Sequence, residues 1–199
     1  MNITAQLVYA SRFEQWVEAS IGFADLHTVA TVYMQGLGRL DIELLWTDAN
    51  RQRRNGNSDL LSALETDLTL PIMLSQLWVL GAYELVRALD EKRRSNVLSL
   101  SLDLEHKLIA LKRQFERLRI PLAKLEPADR WKKTDFDVAM PALHETSGIS
   151  WAVAPGVFIP RQELADELLS FGCMAREFGM MRAQKRDQTD GPVSGGSAA

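Results

Sequence analysis

With only one cysteine, Cys173, the chain cannot form an internal disulfide framework, and no positively charged start followed by an apolar core marks a secretory signal. A reducing cytoplasm is the expected compartment. Long apolar runs are also lacking. Charges, Gln or Ser interrupt each stretch well before the roughly 20 residues that span a bilayer, so neither a transmembrane helix nor a membrane partner is expected. The three histidines, His27, His106 and His144, lie far apart, and the sequence has no H-x3-H or C-x2-C spacing. Structural zinc is therefore not expected, nor is any other metal or cofactor. Two catalytic signatures are missing, the G-x-S-x-G nucleophile elbow and the G-x4-G-K-S/T phosphate loop. Gly36-Leu37-Gly38 has no third glycine at the dinucleotide spacing and reads as close helix packing. The formal net charge is only -3, so no global field favours nucleic acid.

What the chain does have is helical periodicity. Its 199 residues, 46% hydrophobic, suffice for one domain with a sizeable core. The expected fold is mainly α: a compact bundle of about five helices with a small β-hairpin near residues 149–159. Residues 1–182 form one helical domain and 183–199 a flexible tail, whose GPVSGGSAA ending has linker composition. Leu7, Ala10, Phe13, Trp16, Val17 and Ile21 make one helical face. From Phe23 to about Leu45 the 3.6 period continues across Gly36 and Gly38. A hairpin competes over residues 26–46, because Val29, Thr31 and Val32 are β-branched and Leu40, Ile42 and Leu44 alternate with acids. Helix is preferred on length and number of matches.

Thr47 to Asp59 has the polarity of an exposed loop, and Ser58 can cap a short helix from Asp59 to about Asp67. Two long helices follow, Leu70–Arg94 and Val97–Leu118, paired as an antiparallel hairpin. The first has Met73, Leu74, Leu77, Trp78, Gly81, Leu85, Ala88 and Leu89 on its apolar face. The second has Leu104, Leu108, Leu111, Phe115 and Leu118, and ends at Ile120 before Pro121. Glu126 to Ser150 reads as a long irregular connection. Pro155-Gly156 turns the hairpin, and Pro160 opens a last helix ending near Arg182.

Between Glu105 and Lys124 six Lys/Arg stand against two Glu, a local balance of +4. Together with Trp78, Tyr83, Glu84 and Arg87, the cations Arg113, Arg117 and Arg119 form a candidate ligand-binding set. Arginine forks match phosphate oxygens and aromatic faces stack on bases. The competing structural interpretation is that Glu84 pairs with an arginine across the hairpin and fixes its register. Glu14 with Glu18, and Glu163 with Asp166 and Glu167, each share a helical face that could hold a divalent cation, but the stronger expectation is solvated or helix-start carboxylates. Glu105-His106-Lys107 has nuclease-like E-x-K spacing, but on a helix rather than a strand. Trp131, in a polar loop beside Lys132 and Lys133, is the tryptophan expected to be exposed and a candidate interface residue. Trp16, Trp46 and Trp78 are expected in the core.

In its coarse layout alone, a helical bundle with a candidate nucleic-acid face, the chain resembles the HEPN class of prokaryotic helical ribonucleases and their inactive relatives. The active members place a histidine after an arginine with four to six residues between. Here the corresponding positions are Ser20, Ile21 and Gly22 before His27, Ser99, Leu100 and Ser101 before His106, and Asp137, Val138 and Ala139 before His144. The resemblance therefore implies no ribonuclease activity. The expected role is a non-catalytic interaction or assembly module of a cytoplasmic system, with a protein partner or a second copy of itself. The alternative is a nucleotide- or RNA-binding helical module using the basic strip, which extends to a nuclease-like or phosphohydrolase enzyme.

Overall fold

The computed structural model describes residues 3–24, 28–55, 68–144 and 147–189. Among them lie α1 (Ile3–Ile21), α2 (Thr28–Asn55), α3 (Thr69–Arg94), α4 (Leu102–Lys124), a single 3-10 turn (Asp129–Trp131), β1 (Met140–His144), β2 (Gly148–Ala154), β3 (Val157–Pro160) and α5 (Arg161–Thr189). The fold is mainly α with one small antiparallel sheet, as the periodicity predicts.

In the contested segment α2 is a helix. Ala30, Met34, Leu37, Asp41, Leu44 and Asp48 recur every three or four residues, and all are buried. That inward face outweighs the β-branched residues. It also carries the helix past the predicted loop start at Thr47, because Asp48 and Arg51 are buried as an ion pair at 3.1 Å. The predicted loop is thus helical as far as Asn55. Its remainder, the Ser58 cap and the short helix at Asp59–Asp67 lie outside the described residues. Trp46, expected in the core, sits between the inward positions 44 and 48 on the opposite side and is 41% exposed.

α3 and α4 form the predicted hairpin with shifted limits. Asn96, at φ 57, turns the chain out of α3. α4 then starts at Leu102 rather than Val97, with the Ser101 hydroxyl accepting the Leu104 N–H at 3.4 Å. It also runs through Pro121, where the lost donor leaves only the Arg117 carbonyl without its helical partner. The Leu125 N–H returns to the Pro121 carbonyl at 3.2 Å and closes the end. All five predicted apolar residues of α4 are buried. On α3 the buried stripe is rotated: Trp78, Val79, Ala82, Leu85, Val86 and Leu89 face inward, while Met73 and Leu77 are exposed. Leu7 and Ile21 of α1 are likewise exposed. By length and composition α3 is apolar enough to cross a membrane, contrary to the sequence expectation, and 39% of that apolar stretch is buried within the fold.

Near residues 149–159 the predicted hairpin is β2–β3, turned at Pro155-Gly156 with Gly156 at φ 72. A third strand, β1, pairs antiparallel with β2 inside the segment read as irregular. Its sequence, MPALH, lacks alternation, and Pro141 is tolerated because β1 is an edge strand. β2 is central and almost wholly buried. α5 continues to Thr189, past the predicted limit at Arg182, which moves the start of any tail beyond the described residues.

The core centres on Trp78. Its ring meets Trp16 edge-on at 6.4 Å and Phe115 at 6.1 Å, and its Nε1–H donates to the Leu37 carbonyl at 2.9 Å. Gly38 admits Trp16: a Cβ there would lie 2.5 Å from the indole Cγ. A Cβ at Gly36, two residues away, would meet nothing within 4 Å. The close packing predicted for the glycine pair therefore belongs to Gly38 alone.

Candidate functional site

The structure divides the predicted ligand-binding set. Trp78 is fully buried in the core, and its face is occupied by Arg161 at 5.6 Å. Tyr83 is nearly buried beneath Arg119, whose guanidinium lies 5.2 Å from the ring. Burial, followed by the nearby Glu116 carboxylate, pushes its phenol above the ordinary value. Glu84 reaches Arg119 across the hairpin at 3.8 Å and Arg87 along α3 at 2.7 Å, and Arg87 also bonds Glu91. This is the register-fixing arrangement. Arg117 forks onto Asp135 at 2.7 and 2.8 Å, and Trp131 lies between Arg117 at 5.4 Å and Arg130 at 5.9 Å. Trp131 is consequently half-buried rather than the exposed tryptophan expected.

The three lysines of the strip are also paired. Lys107 holds Glu167 at 2.6 Å, Lys112 holds Asp90 at 2.9 Å and Glu116 at 3.3 Å, and Lys124 faces Glu126 at 3.8 Å. Arg113 is exposed and pairs with none of the described residues. A phosphate would therefore have to displace carboxylates from five of the six cations. The paired acids are similarly dispersed: Glu18 to Arg176, Asp166 to Arg12 and Glu167 to Lys107. Among the described residues no three His, Cys, Asp or Glu converge. Glu105, on a helix, pairs with Arg93.

Sequence reasoning missed a buried ionic cluster. Arg161, the first residue of α5 and 1% exposed, pairs with Asp41 of α2. Arg12 Nε reaches the other Asp41 oxygen at 2.6 Å, and the Trp16 indole donates to that oxygen at 3.0 Å. One carboxylate thus ties α1, α2 and α5 together, with every partner charged or strongly polar. Asp48 lies beside the same cluster. Burial pushes its carboxyl above the ordinary value, against the pull of Arg51 and Arg161. The inward spacing of Asp41 and Asp48 was the available signal, obscured because acids at such positions read as solvent-facing.

The other distinctive feature is apolar and open. At about 100° per residue, Val29, Val32, Tyr33, Gly36, Arg39, Leu40 and Glu43 lie within about 60° of Gly36 on the outer face of α2. Val29, Val32 and Tyr33 are 49%, 68% and 56% exposed. Beside them runs a groove of about 250 Å³ between α2 and α3, floored by Ala30, Leu85, Ala88 and Leu89 and edged by Glu84 and Lys92. An outward helix face is ordinarily polar, so contiguous exposed Val, Val and Tyr above an apolar groove mark a candidate docking surface.

No protein-family model matches the chain, and neither the curated proteins nor the solved structures include a detectable match.

Proposed function

We propose that the protein is a non-catalytic interaction module that docks a polypeptide on the outer face of α2 and the adjoining α2–α3 groove. The observation carrying this reading is the exposed run Val29, Val32 and Tyr33 above a groove with an apolar floor. Burying such a surface against another chain removes apolar area from water without separating existing ion pairs. The RNA-binding alternative draws less support. Its best aromatic, Trp78, is buried, and most of its cations already hold carboxylates. A cytoplasmic setting and a protein partner, either another chain or a second copy, belong to the proposal.

The test is affinity capture from the source cells with the wild type, a Val32→Glu/Tyr33→Glu variant and an Arg113→Glu variant, all checked for equal melting temperature. The expected result is a protein set lost with the α2 variant and kept with Arg113→Glu. Equal capture by the α2 variant, or salt-sensitive RNA retention lost with Arg113→Glu, would overturn the reading.

A further inference from the structure

We infer that the cleft between the first turn of α4 and the C-terminal half of α5 binds a basic amphipathic helix of a partner protein, at a surface separate from the outer face of α2. The cleft has a volume of about 380 Å³ and an apolar lining of Leu104, Met174, Phe178 and Met181, with Asp103 from α4 and Glu177 from α5 at its rim. On α5, Met174, Glu177, Phe178 and Met181 have the i, i+3, i+4, i+7 spacing of one helical face. Met181 and the adjacent Met180 are exposed.

Charge selects the occupant. Glu18, Glu105 and Glu167 on the same helices each hold a base, whereas Asp103 and Glu177 are exposed and neither forms an ion pair with a described residue. The bases beside them in sequence are committed elsewhere: Arg176 to Glu18 at 2.9 Å, and Lys107, one turn after Asp103, to Glu167 at 2.6 Å. The α4 dipole favours an acid at Asp103, but Glu177 stands in the interior of α5, where no helix start favours it. Its field reaches Cys173 one turn back, where burial first and Glu177 next push the thiol above its ordinary value. A Lys or Arg on an incoming helix would meet two carboxylates without breaking an existing ion pair, and a phosphate-bearing ligand would be repelled. The lining suits the other side of such a helix, because unbranched methionines repack around apolar anchors spaced along a helical face.

Fluorescence anisotropy on the full chain tests this with a labelled amphipathic model helix of leucine and lysine, and with a leucine–glutamate helix of the same pattern as control. Saturable binding of the leucine–lysine helix is expected, about tenfold or more tighter than that of the control. Asp103→Asn/Glu177→Gln removes both charges at exposed positions while keeping side-chain shape, so its melting temperature should match the wild type and its affinity for the leucine–lysine helix should fall about tenfold. Met181→Ser should also weaken binding, by removing part of the apolar lining. A Val32→Ser/Tyr33→Ser variant should bind as the wild type does, because the α2 face lies outside the cleft. No saturable binding, equal affinity for the two model helices, undiminished binding by the Asp103→Asn/Glu177→Gln or Met181→Ser variant, or binding lost with Val32→Ser/Tyr33→Ser would each overturn the inference. Docking on the α2 face is decided separately, by the capture test.

Discussion

Gly36 and Gly38 are neighbours in sequence but have opposite surroundings. A methyl at Gly38 would meet the Trp16 side chain, whereas one at Gly36 would enter open space. Gly38→Ala should therefore destabilise by about 1–3 kcal/mol through overpacking, and Gly36→Ala should stabilise the monomer by up to about 1 kcal/mol through helix propensity. Chemical denaturation of both variants would compare them. Asp41 is the other decisive residue. Truncating it to alanine strands the Arg161 guanidinium and the Trp16 indole N–H inside the core. Asp41→Ala should cost about 3–5 kcal/mol, readable as a lowered denaturation midpoint with an unchanged slope.

For the elements, the α3–α4 hairpin shows where charges bear on structure. Asp90 on α3 receives Arg93 at 2.9 Å, Arg94 at 3.3 Å and, from α4, Lys112 at 2.9 Å. Burial alone would raise its carboxyl, but hydrogen bonds from Lys112 and Arg93 outweigh it and hold the folded pKa below the ordinary value. A depressed carboxylate contributes stability above its unfolded pKa and loses it as pH falls through the folded one. Asp90→Asn should thus be clearly less stable than wild type at neutral pH, with the gap closing on acidification below the ordinary aspartate range. Denaturation at pH 7 and at about pH 3 would follow the gap. On α4, Arg117→Ala should cost about 1–3 kcal/mol because it leaves the nearly buried Asp135 carboxylate unpaired, whereas Arg113→Ala should stay within about 0.5 kcal/mol of wild type. Equal effects in thermal unfolding would contradict the assignment of these two arginines.

How legible the elements were in the sequence follows the same division. The buried stripe of α4 could be read, though not the helix limits, because Leu104, Leu108, Leu111, Phe115 and Leu118 all point one way and only apolar residues fill the stripe. α2 was legible as a helix but not in length, since its inward face ends in Asp48 and Arg51, residues that mark a loop unless their buried pairing is known. β1 was hidden because an edge strand of MPALH needs β2 beside it before it has a pattern. Of the candidate site, the competing reading that Glu84 pairs with an arginine across the hairpin was available from the sequence, and the structure supplies Arg119 as that arginine. The burial of Trp78 was anticipated too, but its cover by Arg161 was not, because Arg161 is far from it in sequence.

For the whole molecule, acids and bases among the described residues close into pairs around the bundle, and the net charge is only -3. A chain with so little free charge on its basic strip is better suited to recognition by shape and apolar contact than by phosphate attraction. The outer face of α2 is where that surface is left open. The most direct measurement is polypeptide capture from the source cells by the wild type and by the Val32→Glu/Tyr33→Glu variant at matched melting temperature. The account predicts bound protein with the wild type that is lost with the variant, and equal capture by the two would contradict it.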